Sequence, residues 1–154
     1  MNIAILTPII GSAYKEKCKY GTLSKEFYCY KNNYSLIIAN EKDFDKIKRE
    51  KKKYTWLKIY KLLELLDSYD YIFVSDADVS IMNYKLKLED IINKYFESDT
   101  LMVITRDNTD INAGNFIIKG KNPLIKKYIT TWKENLSTYY NYMGQAFEDQ
   151  PALI

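Results

Sequence analysis

The sequence predicts an α/β protein, a mostly parallel sheet with helices on both faces. Three observations predict it. Short apolar runs recur at 2–7, 35–39, 71–74, 101–104 and 116–118. Between them lie segments whose apolar residues follow helical spacing. The 154-residue length suits one domain with a real core.

The elements follow in order. Residues 2–7 form the first strand and run into a loop at 8–11. Leu23, Phe27, Tyr30 and Tyr34 give helical spacing, with Thr22 as N-cap. Residues 35–39 are the second strand, and the charged stretch 43–53 is a solvated loop or helix start. Trp56, Ile59, Tyr60, Leu63 and Leu66 mark an amphipathic helix over 54–66. The third strand is 71–74, and Leu88, Ile91, Ile92, Tyr95 and Phe96 mark the next helix. Strands at 101–104 and 116–118 follow, with Asn112-Ala113-Gly114 just before the last. Asn122-Pro123 reads as an N-cap with proline at the first helical position, ahead of a stripe of Leu124, Ile125, Tyr128, Ile129 and Trp132.

Composition is 47% hydrophobic and 28% charged, a globular profile. A net charge of +3 is too small to imply a nucleic-acid partner. The basic run 46–53 lacks interleaved aromatics and reads as a solvated face. No stretch has the length of a membrane span. Ile3-Ala4-Ile5-Leu6 starts a strand almost at once, without a basic n-region, so no signal peptide is read. The expectation is a cytoplasmic chain; a Golgi lumenal location would need an anchor outside this sequence. Cys18 and Cys29 form no metal or redox motif and read as free thiols. The apolar end Pro151-Ala152-Leu153-Ile154 suggests a single domain, 1–154, incomplete at its C-terminus.

The chemistry centres on Asp76-Ala77-Asp78, which follows the apolar run and Ser75. In extended backbone, residues i and i+2 share a side, so both carboxylates are expected together at the strand's end. Hard oxygen ligands suit Mn²⁺ or Mg²⁺, which share coordination with substrate phosphates. In α/β sheets ligands bind at the carboxyl ends of the strands, where Thr7 and Pro8 also lie. On its own the D-x-D pattern equally fits carboxylates that cap a turn.

Two enzyme patterns accommodate it. In a haloacid-dehalogenase-like phosphatase Asp76 would be the nucleophile and Asp78 the general acid, with Thr105 and Lys126 completing the site. Against this, the aspartates follow the third strand rather than the first. The second pattern has four ordered parts: Tyr28 with Asn32-Asn33-Tyr34; Trp56-Leu57-Lys58-Ile59; Asp76-Ala77-Asp78; and Asn112-Ala113-Gly114-Asn115-Phe116 with Glu148-Asp149-Gln150-Pro151-Ala152-Leu153.

These parts resemble the D-x-D glycosyltransferases of the GT-A fold, and most closely the galactosyl-, mannosyl- and xylosyltransferases of glycosyltransferase family 34. In that family the first part ends in HGY, where this chain has two asparagines. The resemblance implies a Rossmann-like three-layer sandwich and a nucleotide-diphosphate sugar (UDP or GDP) as donor. It implies a saccharide acceptor, Mn²⁺ or Mg²⁺, and retention of configuration. Asp76 and Asp78 would hold the metal. Thr7, Pro8, Lys58, Asp76, Ala77, Asn112, Ala113 and Gly114 would contact the donor. Glu148, Asp149 and Gln150 would lie at the reaction centre, with Asp149 the nearest candidate nucleophile. Tyr14 and Tyr20 are candidates to stack on the base. The family completes its metal site with a C-terminal histidine; this chain contains none. The expected function is a metal-dependent glycosyltransferase. The alternatives are the phosphatase and a non-catalytic nucleotide-sugar or carbohydrate-binding domain.

Overall fold

The computed structural model describes residues 1–47, 54–108 and 110–134. Among the described residues five strands form one sheet: β1 (Ile3–Pro8), β2 (Ser35–Ala39), β3 (Tyr71–Ser75), β4 (Met102–Asp107) and β5 (Asp110–Lys119). The described helices are α1 (Ser12–Lys17), α2 (Lys19–Asn32), α3 (Glu41–Ile47), α4 (Leu57–Leu65), α5 (Leu88–Tyr95) and α6 (Pro123–Glu134). A single 3-10 turn, Tyr54–Trp56, leads into α4.

The strand order is β2-β1-β3-β5-β4. β1 pairs in parallel with β2 and β3, while β5 runs antiparallel to β3 and β4. Among the described strands, four therefore share one direction and only β5 opposes them. The chain leaves β1 toward β2 and returns on its other side to β3. That reversal opens a crevice between the carboxyl ends of β1 and β3, the usual ligand site of such sheets.

Each face of the sheet carries a core. On one, Leu6, Ile72, Val74, Phe116 and Ile118 pack with Trp56, Ile59 and Leu62, and with Ile125, Ile129 and Trp132 of α6. On the other, Ile3, Ile5 and Ile117 pack with Tyr28 and Cys29 of α2 and Leu88 and Ile92 of α5. Alternation along β1 and β3 thus feeds both layers. Each fully buried Leu or Ile side chain contributes about 1.5–3 kcal/mol relative to exposure.

The helix ends follow local chemistry. Asn122 Oδ1 accepts hydrogen bonds from the Leu124 and Ile125 amides, and Pro123 opens α6 as expected. α2 ends at Asn33, whose left-handed φ of 59° suits asparagine second only to glycine. At Gly120 an added Cβ would lie 1.9 Å from the Tyr69 carbonyl oxygen, so that turn admits no side chain.

Several expectations change. Thr22 does not cap α2: the helix starts at Lys19, and the Thr22 hydroxyl donates to the Cys18 carbonyl inside it. The Leu23, Phe27 and Tyr30 stripe faces outward, with Tyr30 88% exposed. Gly21, Ser24, Lys25, Tyr28 and Cys29 face inward instead. The short helix α1, which follows the expected loop, was not foreseen, and β5 begins at Asp110, so Asn112-Ala113-Gly114 lies within a strand. Of the basic run, 48–53 lies outside the described residues; Lys46 pairs with Asp43 and Glu64 at the surface.

Cys18 and Cys29 are free and buried. Burial pushes the Cys29 thiol up to about 12, which suppresses the reactive thiolate. Iodoacetamide should therefore leave Cys29 unmodified in the native chain and alkylate it in urea; rapid native labelling by mass spectrometry would contradict this. Among the described residues no helix is long and apolar enough to cross a membrane.

Candidate functional site

β3 ends at Ser75, and the backbone turns at once. The Val79 amide donates to the Asp76 carbonyl at 3.1 Å, closing a turn over Asp76-Ala77-Asp78-Val79. The two carboxylates therefore sit on a tight turn rather than on one side of an extended strand, which corrects the expected geometry. Asp78 is exposed, and the Asp76 side chain is 34% exposed.

Lys58 and the Gly114 stretch of β5 fix Asp76. Its amide donates to the Gly114 carbonyl of β5 at 2.9 Å. Lys58, buried at 4% exposure on the first turn of α4, donates to Asp76 Oδ1 at 3.2 Å and to the Ala113 carbonyl at 2.9 Å. Gly114 supplies room: a Cβ there would lie 2.9 Å from Asp76 Oδ2 and 2.9 Å from Asn112 Oδ1. Asn112 Oδ1 accepts the Gly114 amide at 2.8 Å, holding this piece of β5 in shape.

Behind the turn stands α2. Lys25 is fully buried, and its ammonium donates to the Asp76 carbonyl at 2.9 Å and the Val79 carbonyl at 2.5 Å. Ser24 Oγ accepts the Ile81 amide at 3.0 Å. Gly21 completes the contact, because a Cβ there would lie 2.3 Å from the Ala77 carbonyl oxygen. Desolvation pulls the Lys25 ammonium down to about 8, and the nearby Asp76 and Asp78 charges oppose that fall.

The turn opens on a cavity of about 430 Å³ at the carboxyl ends of β1 and β3. Pro8, Ile9, Tyr14, Lys58, Asp76 and Ala77 are among its walls. Burial raises the Tyr14 hydroxyl pKa, with a hydrogen bond to Cys18 and the charges of Asp78 and Asp76 adding to the effect, so Tyr14 stays protonated. Beside the cavity, Glu41 accepts from Lys15 and from the Gly11 amide, and these contacts draw its carboxyl down to about 2.

The structure brings together Pro8, Lys58, Asp76, Ala77, Ala113 and Gly114, and sets Asp78 at the same turn. Asn112 acts on them through Gly114. Thr7 lies behind the wall: it is fully buried and its hydroxyl donates to the Ser75 carbonyl at 2.9 Å, tying β1 to the end of β3. Tyr14 lines the cavity, whereas Tyr20 projects from α2 at 79% exposure. Glu148, Asp149 and Gln150 lie outside the described residues. The phosphatase set does not assemble. Lys126 pairs with Asp67, which precedes β3, so it lies toward the edge of the sheet opposite Asp76. The Thr105 hydroxyl donates to the Asn115 carbonyl.

Sequence reasoning missed Gly21, Ser24 and Lys25. Their signal was present as a lysine at i+4 from a glycine and i−4 from a buried cysteine on one helix face.

A divalent cation fits the donor chemistry. The Asp76 carboxylate lines the cavity, Asp78 follows on the same turn, and the space beside Asp76 Oδ2 is one that a Cβ at Gly114 would fill. Among the described residues no third His, Cys, Asp or Glu joins them.

Comparison with known proteins extends this picture. The chain is similar in fold to the glycosyltransferase GlyE of Streptococcus pneumoniae TIGR4 in its apo form, with a TM-score of 0.71 at 13% identity over 99% of this chain and 42% of that one. It is similar to the galactosyltransferase LgtC in complex with donor and acceptor sugar analogues, with a TM-score of 0.61 at 16% identity over 97% and 70%. It is also similar to a glycosyltransferase involved in glycosylation of the major capsid of PBCV-1, with a TM-score of 0.59 at 16% identity over 92% and 76%. The fold is thus the GT-A sandwich, and the chain spans less than half the length of GlyE. No curated protein matches in sequence. A family profile described as "Protein of unknown function, DUF273" matches residues 25–149.

Proposed function

The chain belongs to the DUF273 family, and we propose that it is a metal-dependent glycosyltransferase domain acting on a nucleotide-diphosphate sugar. One observation carries the reading: the Asp76-Ala77-Asp78 turn, fixed from both sides, opens on a nucleotide-sized cavity at the switch point of a GT-A sheet. The acceptor is a saccharide, and the reaction proceeds with retention. The Trp56-Leu57-Lys58-Ile59 and Asn112-Ala113-Gly114 segments favour kinship with family 34.

The residues divide the work as follows. Pro8, Ile9 and Tyr14 form a largely apolar wall for the nucleoside. Lys58 brings a positive charge to the cavity floor, where diphosphate oxygens would sit, and its bond to the Ala113 carbonyl fixes the ammonium in place. Gly114 lets the β5 backbone approach the donor. Asp76 and Asp78 would hold Mn²⁺ or Mg²⁺, which neutralises the charge of a departing diphosphate. Asp149, with Glu148 and Gln150, is proposed to take part in the transfer step.

Melting the 154-residue chain with UDP or GDP, each with and without Mn²⁺, tests this. Saturating ligand at a hundredfold over its Kd stabilises by about 2.7 kcal/mol. A rise of several degrees that needs both nucleotide and metal, and that disappears in Asp78→Ala, is expected. No shift with either nucleotide would refute the reading.

A further inference from the structure

We propose that one face of α2, formed by Gly21, Ser24 and Lys25, positions the Asp76–Asp78 turn for its ligand, with Lys25 as the positioning residue. The inference rests on reading that turn as the diphosphate site.

Lys25 is a fully buried lysine, and among the described residues no carboxylate oxygen lies in ion-pair range of it. Burying a charge without an ion-pair partner is costly and needs compensating hydrogen bonds. Here the bonds go to the carbonyls of Asp76 and Val79, the first and last residues of the turn. The ammonium therefore bridges the turn from behind. Ser24 holds the next segment through the Ile81 amide, and the missing Cβ of Gly21 allows the helix to approach the Ala77 carbonyl. None of these bonds uses a carboxylate oxygen. The clamp thus fixes the backbone and leaves the Asp76 carboxylate at the cavity and the Asp78 carboxylate exposed. A lysine on the inward face of a helix would otherwise be an odd choice, since α2 keeps its larger apolar residues Leu23 and Phe27 outside.

Two readouts test the inference, both below the melting transition of each variant. In Lys25→Met, amide exchange at Val79 and Ile81 should accelerate at least tenfold while β1 amides are unchanged. Affinity for UDP or GDP with Mn²⁺ should fall at least tenfold by calorimetry. Unchanged exchange at both amides would overturn the inference. So would faster exchange with undiminished affinity, which would leave α2 a structural support alone. If the native chain binds neither nucleotide, the functional reading fails, while the exchange data still decide whether Lys25 holds the turn. If Lys25→Met does not fold, Ser24→Ala serves. It keeps the ammonium and removes one acceptor, so Ile81 exchange should rise tenfold and affinity fall at least threefold. No change in either would overturn the proposal.

Discussion

Lys58→Met should bind nucleoside diphosphate about 10- to 100-fold more weakly than the native chain, the range expected for losing a hydrogen bond between charged groups. The same change should lower folding stability by about 1–3 kcal/mol, because the Ala113 carbonyl loses its donor and Asp76 its cation. The lower part of that range applies if water reaches Asp76, which is 34% exposed on its side chain. Met keeps the stem's packing against the core, so cavity formation adds little. Calorimetry gives the affinity and urea denaturation the stability. Native affinity with reduced stability would show that Lys58 serves only the fold.

Gly21→Ala should destabilise the chain by about 2–4 kcal/mol and displace the Asp76–Asp78 turn, since overpacking against rigid backbone has no side chain to yield. The Cβ would meet the Ala77 carbonyl at 2.3 Å and the Val79 carbonyl at 3.0 Å. In an exposed helix the same substitution would instead stabilise by about 0.5–1 kcal/mol through propensity. The sign of the effect is therefore decisive. Urea denaturation of Gly21→Ala showing equal or greater stability would mean that α2 does not press on the turn.

The sheet was legible in the sequence because its inner strands are buried on both faces and their apolar runs have no other use. The positions of Asp76, Asp78 and Lys58 were legible because a strand end and a strongly amphipathic helix placed them on one edge of the sheet. The amphipathic pattern failed at α2. There Leu23, Phe27 and Tyr30 spell a helical stripe, yet Ser24 and Lys25 face the protein. Binary patterning assumes that the inward face is apolar. At α2 the inward face instead carries Lys25, which donates to the Asp76 and Val79 carbonyls of the turn, and Ser24, which accepts the Ile81 amide. Local rules tend to break where a site is being held. The Asn112–Gly114 segment was expected just ahead of the last strand for a similar reason. Its small and polar residues break the apolar strand pattern, but they lie in β5, where Gly114 makes room beside Asp76.

On the proposed function, nucleotide and metal meet at the Asp76–Asp78 turn. Paramagnetic broadening of backbone amide signals by Mn²⁺ tests it most directly. With UDP or GDP present, substoichiometric Mn²⁺ should broaden the amides of Ala77, Asp78 and Gly114 first, and leave those of Asp67 and Lys126 sharp. Broadening centred on another part of the surface, or broadening at the turn that does not depend on nucleotide, would contradict the account.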